Sequence, residues 1–148
     1  MAVIERMFPR MFLKMAFALA FALSFLPSPV NARAIGCAGI LMADLGKVGE
    51  KLVKYIVLME KPCVFVQLQI PGGKGRYSFQ KEICSFDGKS LTDDFSHAEF
   101  RRGEFIDDQL FFELAVMPVG KEEFEVKTCK VLFSDGKPDK LTCELSQG

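Results

Sequence analysis

The chain has 148 residues, with 19 basic and 19 acidic side chains, five cysteines, one histidine and no tryptophan. A zero net charge excludes a nucleic-acid binder held by a broadly basic surface, because phosphate binding demands a cationic excess. Past residue 34 no segment reaches 18 consecutive apolar residues, so the sequence predicts no membrane span after that point.

Residues 1–34 read as a cleavable secretory signal. Arg6, Arg10 and Lys14 outweigh Glu5, the run from Met15 to Leu26 is apolar, and Pro27 and Pro29 end it. That run is too short for the roughly 20 helical residues a bilayer needs. Ala32-Arg33-Ala34 then supplies the small-x-small pattern of a signal-peptidase site, placing cleavage before Ile35. An uncut anchor is one competing reading. Another is a lipobox, Ala34-Ile35-Gly36-Cys37, that acylates Cys37, although Ala34 stands in place of the usual leucine. Residues 1–34 hold four of the basic and one of the acidic side chains, so Ile35–Gly148 keeps 15 and 18, a net charge of −3. Those 114 residues are the length of one domain.

Over residues 38–60, Leu41, Leu45, Val48, Leu52, Ile56 and Met59 recur at spacings of three and four, with Lys47, Glu50, Lys51 and Lys54 between them. This predicts an amphipathic helix ended by Pro62, with Gly46 and Gly49 each opposing it by about 1 kcal/mol. From Cys63 the period changes to two. Val64, Val66, Leu68 and Ile70 alternate with Phe65, Gln67 and Gln69, and Tyr77, Phe79, Lys81 and Ile83 alternate beyond the turn Pro71–Gly75. Asp87-Gly88-Lys89 is a second turn, residues 90–104 read as a loop with a short strand, and Gln109–Met117 is a strand closed by Pro118-Val119-Gly120. Phe124–Phe133 and Lys140–Leu145 are strands joined by Ser134–Pro138. The expected fold class is therefore α+β, one N-terminal amphipathic helix packed on an antiparallel meander of about five strands.

In an oxidising compartment cysteines pair by default. With Gly73-Lys74 at the centre of the first hairpin, Cys63 and Cys84 each lie ten residues out and face one another. The same register sets Val64 against Ile83, Leu68 against Phe79, Ile70 against Tyr77, and Gln67 against Gln80, so apolar pattern and cysteines agree. With Gly136 at the centre of the second hairpin, Cys129 and Cys143 are each seven residues away and Val131 faces Leu141. The expected disulfides are Cys63–Cys84 and Cys129–Cys143. Cys37 is left over: an inert buried thiol, an intermolecular bridge in a homodimer, or a modified residue.

Catalytic chemistry is sparse. The single histidine, His97, sits in Ser96-His97-Ala98 beside Asp93 and Asp94, but sequence neighbours rarely assemble a triad and no Gly-x-Ser-x-Gly elbow occurs. No Cys-x-x-Cys and no paired histidine offers a metal site. Asp93-Asp94 and Asp107-Asp108 read as turn carboxylates, and Pro71–Gly75 lies between strands rather than before a phosphate-binding helix.

The stretch Phe112-Glu113-Leu114-Ala115-Val116-Met117-Pro118, followed by Lys127-Thr128-Cys129, resembles the late hairpin of the secreted cystatins, as does the combination of signal, helix, meander and two hairpin disulfides. The resemblance covers under a quarter of the mature chain and implies protease inhibition. In place of that family's Gln-x-Val-x-Gly loop stands Gln67-Leu68-Gln69-Ile70-Pro71-Gly72, and Val119 stands where a tryptophan is usual.

The function expected from the whole is that of a small exported, non-enzymatic binding module, periplasmic or extracellular, with no cofactor and no metal, acting on a protein partner. The alternatives are a structural cell-envelope component linked through Cys37 and a secreted protease inhibitor of cystatin-like architecture.

Overall fold

Between Lys51 and Leu58 the chain is rich in β-branched and aromatic residues, and Val53, Tyr55 and Val57 alternate with period two. In a computed structural model, which describes residues 39–146, this stretch is a strand, not a helix. The region expected to be helical forms β1 (Ile40–Val48) and β2 (Lys51–Leu58), joined by a two-residue turn. Gly49 takes φ 58° at the first turn position, a conformation that favours glycine and that opens a type II′ hairpin. The α+β expectation is therefore corrected: the described residues form an almost entirely β architecture. The cystatin-like architecture, which needs a helix on the sheet, goes with it.

The chain continues as β3 (Val64–Gln69), β4 (Tyr77–Ile83), β5 (Ser85–Phe86), β6 (Lys89–Ser90), β7 (Phe95–Ile106), β8 (Gln109–Pro118), β9 (Glu125–Ser134) and β10 (Lys137–Leu145). Residues 90–104, expected to be mostly loop, contribute most of the 12-residue β7. One sheet has the order β1-β2-β3-β4 and the other β6-β5-β10-β9-β8-β7. All neighbours are antiparallel except β5 and β10, which meet in parallel at Phe86 and Leu141. Asp87 secures that junction, accepting from the Thr142 hydroxyl at 3.0 Å and the Cys143 amide at 3.1 Å.

Three hairpins turn on two residues with positive φ: Asp87-Gly88, Asp107-Asp108 and Asp135-Gly136. Those angles match the type I′ turn, whose twist suits the strands it joins.

The sheets share one core. Val53, Tyr55, Val57, Val64, Val66 and Leu68 from the first sheet meet Phe100, Leu110, Phe112, Leu114, Val131 and Leu141 from the second. Phe112 is the hub, edge-on to Tyr55 at 5.0 Å and to Phe100 at 5.3 Å between centroids. Each such pair adds about 0.5–1.5 kcal/mol beyond its buried area. Gln67 is buried on the opposite face of the first sheet, donating to Gln80 at 2.7 Å and accepting from Gln69 at 3.0 Å. Among the described residues no buried side-chain polar atom lacks a partner.

Cys63 is bonded to Cys84 and Cys129 to Cys143, with Cα separations of 4.4 and 4.0 Å. The first hairpin runs in the register Val64 to Ile83, Gln67 to Gln80 and Leu68 to Phe79. A bulge then sets Tyr77 against Gln69 rather than the expected Ile70. In the second hairpin Val131 faces Leu141, and a bulge at Asp139 reconciles that register with the tight turn. Two intramolecular disulfides are compatible with an oxidising environment. The expected signal at residues 1–34 and Cys37 lie outside the described residues.

Candidate functional site

Among the described residues β1 pairs only with β2, and β7 only with β8. These free edges belong to different sheets and lie along the same side of the fold. Near Gly46 the seam between them is closed. The Phe105 ring packs so tightly on Gly46 that a Cβ there has no room. The Tyr55 hydroxyl crosses from the first sheet to donate to the Gly103 carbonyl at 2.9 Å. Burial foremost, with Asp44 and Glu104 adding to it, pushes the Tyr55 phenol above its ordinary pKa, so it is held as the neutral donor.

Toward the start of both strands the seam opens into a cavity of about 290 Å³. Val57 and Phe100, both fully buried, form its floor. Leu58, Pro62 and Ala98 line its walls. Its lips are Leu41 and Met59, which are 43% and 66% exposed. Glu60, Lys61, His97 and Glu99 supply the polar rim. Lys61 reaches away toward Glu82 at 4.0 Å, and His97 Nε2 stands 3.9 Å from Glu99 while its ring meets Phe124 edge-on at 5.4 Å. Glu60 has no ion-pair partner among the described residues. The helix reading put Leu41 and Met59 on a buried face. The strands turn them outward, because the core takes Val53, Tyr55 and Val57 instead.

The possible triad residues do not converge. The Ser96 hydroxyl donates to the Met117 carbonyl at 3.0 Å. Asp93 and Asp94 hold the turn after β6, accepting from the Ser90 hydroxyl at 2.8 Å and the Ser90 amide at 2.6 Å. Cys63, Glu82 and Cys84 form the one compact set of potential metal donors among the described residues, and its two sulfurs are bonded to each other. Asp107 and Asp108 are a turn, and Pro71–Gly75 is a hairpin loop in which Gly72, Lys74 and Gly75 have positive φ. Among the described residues no helix is long and apolar enough to cross a membrane.

The arrangement combines an apolar floor, exposed apolar lips, a charged rim and adjoining strand edges. The cavity is at the lower limit of the roughly 300–1,000 Å³ of ligand pockets, room for one large apolar group. No family model matches the chain, and no curated protein and no solved structure matches it.

Proposed function

We propose that the protein is a small exported binding module, not an enzyme, and that it holds a protein partner at the open mouth of the seam between β1 and β7. The observation that carries this reading is the pairing of exposed Leu41 and Met59 with buried Val57 and Phe100 in an open cavity of about 290 Å³. Large apolar side chains at a water-exposed rim gain free energy when a partner covers them, and central pockets that accept one anchor side chain dominate binding at protein interfaces. Export rests on the signal pattern of residues 1–34, and the two disulfides support it. The net charge of −3 in Ile35–Gly148 supports a protein rather than a nucleic acid as the partner.

The test is affinity capture from the native host's exported fraction with the wild-type protein, Leu41→Asp and Met59→Asp. Both lip residues are exposed, so the fold tolerates the changes. A partner retained by the wild type and lost by both variants is the expected result. Equal retention by all three places the interface elsewhere, and no retained partner removes the binding-module reading.

A further inference from the structure

We infer that the β3–β4 hairpin docks on an anionic membrane surface, with Lys74 and Arg76 on lipid phosphates and Ile70 and Tyr77 in the headgroup layer. Charge supplies the first argument. Between Glu60 and Glu82 the sequence has no acidic residue and four basic ones, Lys61, Lys74, Arg76 and Lys81. Lys61 pairs with Glu82 at the cavity end. Lys74 and Arg76 stand exposed in the loop Ile70–Arg76, and among the described residues neither has an ion-pair partner. Two more cations are held beside the hairpin. Lys137 Nζ lies 5.4 Å from the centre of the Phe79 ring, and Lys51 Nζ donates to the Gly136 carbonyl at 2.8 Å. Glu50 and Asp135 are the acids of the two adjoining turns, and the four cations outnumber them. This local excess stands out in a processed chain of net charge −3.

The backbone of the loop supplies the second. The Gly73 amide donates to the Ile70 carbonyl at 2.8 Å, the Arg76 amide to the Gly73 carbonyl at 3.1 Å, and the Ile70 amide to the Arg76 carbonyl at 3.0 Å. The loop is thus preformed, and docking carries little ordering cost. Lys74 takes φ 52°. The other non-glycine residues at positive φ among the described ones are aspartates, which tolerate a conformation that lysine rarely adopts. A glycine at position 74 would cost the fold less, and what the lysine adds is its charge. Ile70 and Tyr77, 39% and 41% exposed, flank the cations. A phenol beside an aliphatic side chain suits the boundary between headgroups and acyl chains, so this pair favours a lipid surface over a soluble polyanion. Strands β2 and β3 run between the cavity and this loop, with Leu58 and Val64 at one end and Lys51 and Gln69 at the other. A membrane-docked molecule therefore keeps its cavity free for the partner.

The experiment takes the oxidised protein from the exported fraction and sediments it with vesicles of phosphatidylcholine alone or with added phosphatidylglycerol. The expected result is binding only to the anionic vesicles, released by high salt, with slower tryptic cleavage after Lys74 and Arg76. Lys74→Gly binds about fivefold more weakly, the effect of one cation at an anionic surface, while its melting temperature does not fall, so the loss is not one of folding. Ile70→Ser also binds more weakly and keeps the salt dependence. Equal binding to both vesicles, no binding to either, a Lys74→Gly variant that binds as the wild type does, or binding to heparin as tight as to vesicles, which makes the ligand a soluble polyanion, each overturns the inference. Capture of a partner through Leu41 and Met59 tests a separate site and stands or falls independently of these outcomes.

Discussion

The Tyr55 hydroxyl donates to the Gly103 carbonyl at 2.9 Å, linking the middle of β2 to the free edge of β7. It is a side-chain hydrogen bond between the two sheets at the point where their seam closes. Tyr55→Phe keeps the ring against Phe112 and removes only the donor. The expected loss is about 1–2 kcal/mol, read as a lower denaturation midpoint. Because burial raises the Tyr55 pKa, the folded state resists ionisation that the unfolded chain undergoes. That contribution is complete below the ordinary value of 10.0 and is lost as the pH rises through the raised one. Stability of the wild type thus falls more steeply above pH 10.0 than that of Tyr55→Phe, and parallel curves contradict the assignment.

Gly103→Ala tests the same junction from the other side. A Cβ at position 103 meets the Tyr55 hydroxyl at 2.6 Å and the Phe112 ring at 2.8 Å, so these two buried side chains must shift. The expected cost exceeds that of Tyr55→Phe, in the range of about 1–3 kcal/mol for overpacking.

The β7–β8 turn is the opposite case. Asp107 and Asp108 both hold positive φ, 46° and 57°, where a side chain costs about 1 kcal/mol or more. Asp87-Gly88 and Asp135-Gly136 have glycine at the second position, and this turn does not. Asp108→Gly is expected to raise the melting temperature, by about 1 kcal/mol in stability, while removing one of two adjacent like charges. An unchanged or lower melting temperature means the aspartate makes a compensating contact.

Much of this molecule can be read without coordinates. The turns at Pro71–Gly75, Asp87-Gly88 and Asp135-Gly136 announce themselves through Pro-Gly and Asp-Gly, and cysteine spacing agrees with the apolar alternation, so turn chemistry and register specify one pairing there. The first two strands are harder. Leu41, Leu45, Val48, Leu52, Ile56 and Met59 imitate a helical stripe, and Ile56 is buried although it faces away from the shared core, so β2 is apolar on both faces and its period of two is blurred. Strand β7 is hidden for another reason. It is an edge strand whose charges, Glu99, Arg101, Arg102 and Glu104, and whose bulges near Ser96 and Arg101 break the alternation. The cavity is formed by residues 41, 57–62 and 97–100, which only the sheet order brings together.

The disulfides make two linked predictions. Replacing Cys129 and Cys143 together by alanine should destabilise the oxidised protein by about 2–4 kcal/mol, read as a lower melting temperature. Trypsin should first cut the exposed loop after Lys74 or Arg76, leaving one oxidised species one water heavier. Because Cys63 and Cys84 flank that loop, the two fragments separate only on reduction. Separation without a reductant contradicts the pairing.

At acidic pH the relevant group is Glu125. The hydrogen bond from Lys127, at 3.1 Å, is the main reason its carboxyl lies below the ordinary value of 4.5, with Lys121 at 3.4 Å adding to it. The stabilisation is present above that value and is lost as the pH falls through the lowered one. The pair is partly solvated, so the effect is at most about 1 kcal/mol. In Lys127→Met the loss of stability on acidification below pH 4.5 should be shallower than in the wild type.

The most direct test of the proposed site is photocrosslinking in the living host, with a photoreactive amino acid at Met59 or, as the control, at Lys89 on the far edge of the second sheet. The account predicts a protein adduct from position 59 that disappears in Leu41→Asp, and none from position 89. Adducts from position 89 alone, or an adduct at 59 indifferent to Leu41→Asp, contradict it.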